Sequence, residues 1–382
     1  MAAVSMGGLF WDDLFGTARS QPRRAGPGYG VRGDRDEHGI VVPRGFRVRK
    51  VAQGGRRVAG TGYAWHRASD GAATFPIRDG GWILVSNSEA PEGGASAIRF
   101  GPDGRVADAY RVLGDTAQNC SGGATPWGTW LSCEEVQSGR VWECDPTGRR
   151  KAKVRPAMGV FKHEAAAVDP KGRHIYLTED LEGGGLYRFT PERWPSLEDG
   201  LLEIAEVGRG GRVRWAEVPD PSGRTGATRH QVRGSTPFAR AEGIFHDRGT
   251  VYVSTTLDSR VHAYHLARNQ MEVVYDGLAL KDPPLVNVDQ LTVSRAGEVF
   301  VCEDNHMPDL DVGMIDRRGR VSRFVTAAGS HHENSELSGI CFDPSGRRMY
   351  FSSQRAGGSF AQDGPGEVYE VTGPFHRTLS AA

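Results

Sequence analysis

The sequence predicts an all-β chain and, within that class, a six-bladed β-propeller. Three observations carry this. Glycine (52 residues) and proline (21 residues) are abundant among 382, while only 38% of residues are hydrophobic. That composition suits many short strands joined by many turns. Apolar residues alternate in short runs bounded by Gly, Pro, Asp and Ser, and helical periodicity is scarce. Finally, one sequence unit recurs along the chain.

The units can be taken in order. Asp70 opens "DGAATFPIRDGGWILVSNSE" and Cys120 opens "CSGGATPWGTWLSCEE". Glu164 opens "EAAAVDPKGRHIYLTED", Glu242 opens "EGIFHDRGTVYVSTT", and Asp289 opens "DQLTVSRAGEVFVCED". Glu336 opens "ELSGICFDPSGRRMYFSSQ". Most of them follow one pattern: an acidic residue, a short apolar strand, a D-x-x-G-type turn, and a second strand ending in polar residues. The first two fit it more loosely. The starts lie mostly roughly 45 to 50 residues apart, as blades of about four strands require. The longer interval after Glu164 marks residues 190–235 as an insertion in that blade. The chain thus divides into an irregular N-terminal extension, residues 1–38, and one propeller domain, residues 39–382.

Several classes are disfavoured. Lys+Arg and Asp+Glu both number 47, so the balanced charge points to neither nucleic acid nor a membrane surface as a partner. No apolar run has membrane-spanning length. The five cysteines lack the regular spacing of a disulfide framework or a zinc site. Cys133, Cys144, Cys302 and Cys341 lie on or beside apolar strands and read as small hydrophobes. Arg23-Arg24 has no apolar stretch after it, so it is no export signal as written: either the chain stays in the cytoplasm or the quoted start lacks an export segment. A closed propeller needs no partner to cover edge strands, so a monomer is expected.

Equivalent positions in successive blades point at one axis. Here they are Asp70, Cys120, Glu164, Glu242, Asp289 and Glu336. Asp is common in turns, but Glu is not. Carboxylates that converge raise one another's pKa, and a bound cation is the usual remedy. Oxygen ligands suit calcium, and a thiolate adds a preference for iron or another transition metal. Arg240 and Glu242, two apart on an expected strand, face the same side. The guanidinium then suits bidentate binding of a phosphate, with a simple Arg–Glu ion pair as the alternative. His66, His163 and the His331-His332 pair read as packing or solvent-facing residues, and Trp127 and Trp130 as blade packing. Asn119 either orients Cys120 or reaches substrate.

Taken together, these segments resemble the PhoX family of alkaline phosphatases. The most specific match is "NCSGGATPWGTWLSCEE", joined in family order by "FKHEAAAVDP", "YLTED", "ARAEGIF", "VDQLTV", "CED" and "SELSGICFDPSGRRMYFSSQ". The resemblance implies a six-bladed propeller with ferric iron and calcium at the channel mouth and a small phosphate ester as substrate. It implies Cys120 as an iron ligand, with Glu164 and Glu242 in the same cluster. It implies Glu134 or Glu135 and Asp289 as calcium ligands, Glu336 at a matching position, and Arg240 on the phosphate. The implied reaction is phosphomonoester hydrolysis with a metal-bound oxide or hydroxide as nucleophile, Cys120 serving as ligand only. Ser88 and Gln290 stand where family members commonly carry His and Asn. Members are usually exported, unlike this chain as written. A calcium-dependent lactonase-like propeller and a non-catalytic metal-stabilised propeller are the alternatives. Cys120 and Arg240 distinguish the phosphatase from the lactonase.

Overall fold

The computed structural model describes residues 26, 28–305, 307–358 and 363–376. Most of the expected extension, residues 1–25, therefore lies outside the described residues. Six antiparallel blades surround a central channel, and no α-helix occurs among the described residues. The innermost strands are Ser69–Pro76, Asn119–Ala124, His163–Asp169, Ala241–Asp247, Val288–Val293 and Leu337–Phe342. Each packs on the next, and the last returns to the first.

The ring is closed by the chain's own ends. Arg47–Gln53 pairs with Glu367–Thr372 as the outermost strand of the sixth blade. Ile40–Val41 adds an edge to the fifth blade. Bridging the first and last segments of the chain in this way leaves no seam that only local contacts hold. The third blade has five strands, because Gly200–Val207 and Val213–Glu217 add to its sheet. Much of the expected 190–235 insertion is therefore regular blade. Only the stretch beyond residue 217, which returns to a short ribbon with Glu182–Gly184 through Phe238–Ala239, departs from the blade pattern.

Two sequence features explain why the inner strands crowd together. Small residues fill them where neighbours approach. A Cβ on Gly123 would lie 1.9 Å from the Ala166 carbonyl oxygen, and one on Gly71 would lie 2.4 Å from the Ser121 Cα. Every inner strand also carries a β-bulge at the same place. His163 pairs with Glu179 and Ala166 with Leu177, so three steps on one strand match two on its partner. The same slip occurs at Ser69/Ala72, Asn119/Gly122, Ala241/Ile244, Val288/Leu291 and Ser338/Cys341. Bulges re-aim side chains, and here all six sit at the channel mouth.

Candidate metal centre

Pairing through the bulges fixes which residues are equivalent. The position after each first paired residue carries Asp70, Cys120, Glu164, Glu242, Asp289 and Ser338. Glu336 does not belong to this ring: it lies two residues earlier. Glu336 is equivalent to Arg240, Lys162, Gln118, Ala68 and Asn287, whose carbonyls form one repeated hydrogen bond. The backbone N–H groups of Glu89, Glu135, Asp180, Thr256, Asp304 and Gln354 donate to Ala68, Gln118, Lys162, Arg240, Asn287 and Glu336. That bond docks the end of each second strand at the channel mouth and creates a second ring of polar side chains.

These two rings build the centre. Three groups have ligand atoms within 4.8 Å of one another: Asp70, Glu89 and Cys120; Cys120, Glu135 and Glu164; and Glu164, Glu242 and Asp289. Cys120 and Glu164 are shared, so the groups form one continuous cluster. A cavity of about 410 Å³ opens above it, lined on one side by Arg240 and on another by Arg355.

The donor set fits metal ions. Both carboxylate oxygens of Glu164 are buried without a hydrogen-bond partner among the described residues, as is Oδ1 of Asp289. Burying an ionised carboxylate uncompensated is costly. Burial, followed by the neighbouring acids, pushes Glu164, Glu135, Asp289 and Asp70 well above the usual carboxylate range. Glu242 is raised in the same sense although Arg240 Nη2 is 2.8 Å from its Oε1. Burial and the charges of Asp180, Glu164 and Asp289 outweigh that cation. Glu89 is pushed up to about 8 by burial and by Glu336. The Cys120 thiol is held high by burial and by Asp70. A cation bound among them reverses this and favours the carboxylates and the thiolate. Hard oxygens surrounding one sulfur suit calcium together with a softer transition metal.

The sequence candidates fall into place as follows. Cys120, Glu135, Glu164, Glu242 and Asp289 come together in the cluster. Glu134 faces elsewhere, accepting from the Ala117 and Arg140 backbone N–H groups. Glu336 lines the cavity but pairs with Arg355 at 2.9 Å. Asn119 is buried and fully engaged: its Oδ1 accepts from Gly94 N at 2.6 Å, and its Nδ2 donates to Ser132 Oγ at 2.9 Å. It supports the fold around Cys120 and does not reach the cavity. Arg240 precedes its strand and has φ of +57°. Its nearness to Glu242 therefore comes from a left-handed turn and not from strand alternation. His163 stacks on Phe161 and bonds the Gly159 carbonyl, as a packing residue does.

Sequence reasoning singled out none of Glu89, Asp180, Lys162 and Arg355 for the site. The signal was present in the polar endings of the second strands, "NSE", "CEE", "TED", "STT", "CED" and "SSQ". Aligned with one another, they give the second ring. Gln354 was not singled out either, and Gln290 only as a departure from the family's usual Asn. Both donate an amide N–H to Asp70, and Gln290 also accepts from Gly339 N at 2.7 Å. Asp70 is thus the best satisfied acid of the inner ring.

The family model described as alkaline phosphatase PhoX matches residues 90–145 and 137–274. No curated protein sequence matches. Among solved structures, PhoX of Pseudomonas fluorescens in complex with vanadate, a transition state analogue, is similar with a TM-score of 0.72 and 17% identity. That match covers 87% of this chain and 96% of the other. A Bacteroides thetaiotaomicron protein of unknown function matches with a TM-score of 0.52 and 11% identity, over 86% and 76% of the two chains. At these identities the structural matches establish the fold. The family match spans the blades that carry Cys120, Glu164 and Glu242, so the chain is similar to the PhoX alkaline phosphatases in sequence over residues 90–274 and in fold over most of its length.

Proposed function

We propose that this protein is a metal-dependent phosphomonoesterase that binds calcium and ferric iron at the channel mouth. The observation that carries the reading is the cluster itself. Clustered carboxylates, with Glu164 lacking any hydrogen-bond partner among the described residues, share one thiol beneath a cavity that presents a guanidinium. Cys120 and Glu164 would hold the ion that prefers sulfur, and Glu135, Glu242, Asp289 and Glu89 the oxygen-bound ions. When bound, the cations supply Lewis acidity towards the phosphoryl oxygens and generate the nucleophile from water.

The remaining work falls to this chain's own residues. Asp180 holds Arg240 through Nε at 2.7 Å and Nη2 at 3.2 Å. Nη2 also pairs with Glu242 Oε1 at 2.8 Å, which leaves Nη1, 3.9 Å from Asp304, for the cavity. Held this way, Arg240 is preorganised to donate its Nη1 hydrogens to phosphoryl oxygens and to stabilise charge that develops on them. Arg355, fixed by Glu336, adds positive charge to the cavity lining and helps retain a dianionic ester. Cys120 acts as a ligand, since its thiol is buried and raised and so is a poor free nucleophile.

The test is to load the protein with iron and calcium and assay hydrolysis of p-nitrophenyl phosphate. Cys120→Ala should lose sulfur-bound metal and activity together. A variant that keeps full metal content and full activity would rule the mechanism out.

A further inference from the structure

Lys162 and Arg240 are equivalent residues of adjacent blades, each two positions before an inner-ring glutamate. Both side chains converge on Asp180. Lys162 Nζ lies 2.8 Å from Asp180 Oδ2, and Arg240 Nε lies 2.7 Å from Oδ1. Lys162 Nζ also lies 2.7 Å from Glu135 Oε1. The result is an arc of alternating charge, Glu135–Lys162–Asp180–Arg240–Glu242, in which every contact is an ion pair. Both ends of the arc are cluster residues, because Glu135 groups with Cys120 and Glu164, and Glu242 with Glu164 and Asp289.

The middle of the arc decides how its ends behave. Lys162 is the cation between two carboxylates that both lie within 2.8 Å of it. Without it, Glu135 and Asp180 face each other as like charges, and one must move or take a proton. Movement of Glu135 disturbs the sulfur-containing group of the cluster. Movement of Asp180 releases the Nε edge of Arg240, the contact that orients the fork. Glu135 and Arg240 line the cavity, and Lys162 and Asp180 are not among its lining residues.

We infer that Lys162 is a positioning residue that links the metal-binding carboxylate Glu135 to the phosphate-binding guanidinium of Arg240 through Asp180. The inference rests on the phosphatase reading only for the identity of the anion. It makes metal affinity and anion affinity reciprocal, since a perturbation at either end passes through the same two ion pairs.

The experiment is a pair of double-mutant cycles on the full chain, read by calorimetric titration. In the first, inorganic phosphate is titrated into metal-loaded wild type, Lys162→Met, Arg240→Met and the double variant. Lys162→Met should weaken phosphate about tenfold in the wild-type background and less than about twofold beside Arg240→Met. Lys162→Arg should restore most of the loss. In the second cycle, calcium is titrated into the same four proteins, and the two substitutions should again be non-additive. Lys162→Gln replaces Lys162→Met should the latter not fold. Equal phosphate losses in both backgrounds, or additive calcium effects, would overturn the link. A wild type that binds calcium but not phosphate would sink the phosphatase reading, while the calcium cycle would still decide the arc.

Discussion

At the scale of single residues, the inner ring shows how little of a side chain's role its type reveals. Glu134 and Glu135 are adjacent and identical in chemistry, yet only Glu135 reaches the cluster. The difference is the hydrogen bond from Glu135 N to the Gln118 carbonyl, which ends the strand pairing and turns the next side chain inward. Glu135→Gln should therefore reduce bound metal and lower kcat/KM by at least about a hundredfold, while Glu134→Gln leaves metal content unchanged. Elemental analysis and steady-state kinetics on the two variants check this. Arg240→Lys should keep the charge but lose the clamp on Asp180. The expected result is a roughly 10- to 100-fold fall in kcat/KM, with much of it in KM. From sequence, Cys120, Glu164, Glu242 and Asp289 were legible because each opens a repeated unit. Glu336 was misplaced by two positions because it also opens an apolar run. Only the pairing of Leu337 with Ser353 shows that Ser338 holds the equivalent place.

At the scale of elements, the bulged inner strand is the device that matters. It repeats six times, and each copy turns one residue towards the channel mouth. Pairing registers cannot be read from a single chain, so the bulges were invisible in the sequence, although the glycines beside them were not. Those glycines carry a sharp expectation. A Cβ on Gly123 would press on the Ala166 backbone oxygen at 1.9 Å, and backbone of the next blade cannot give way as a side-chain tip can. Gly123→Ala should cost about 3 kcal/mol by overpacking, read as a melting temperature lower by several degrees. An equal melting temperature would mean that the blades are not packed as closely as described. The second strands repeat a device as well. Thr178 Oγ1 donates to the Glu242 carbonyl at 2.6 Å, and Ser254 Oγ donates to the Asp289 carbonyl at the equivalent place. The third and fourth blades thereby fix the backbone that presents the next blade's ligand.

At the scale of the whole molecule, closure of the ring forces acids from five blades into one space. The repeat made the six blades legible, along with their order and the end of the channel that carries chemistry. It did not show that residues 200–217 complete the third blade, because outer strands are under weaker constraint and lack the repeated motif. The crowding of acids has a global consequence. In the metal-free protein, burial holds the cluster carboxyls above their unfolded values, Glu89 at about 8. The folded state then retains protons that the unfolded chain releases. The contribution of these groups is fully present below the ordinary carboxylate range near pH ~4 and is lost as pH rises through the folded values. Chelator-treated protein should therefore be less stable at pH 8 than at pH 5.5, by a few kcal/mol. Calcium and iron should abolish or reverse that difference, as denaturant unfolding at the two pH values would report.

The central claim is that one cluster of mixed hard and soft ligands carries out phosphoester hydrolysis. Its most direct test is elemental analysis of the purified protein alongside p-nitrophenyl phosphate hydrolysis by the same preparation, before and after chelation. Iron and calcium are expected together, with activity that disappears on chelation and returns only when both metals are restored. Full hydrolysis by protein free of iron, or a fully metal-loaded protein inert towards phosphate esters, would contradict it.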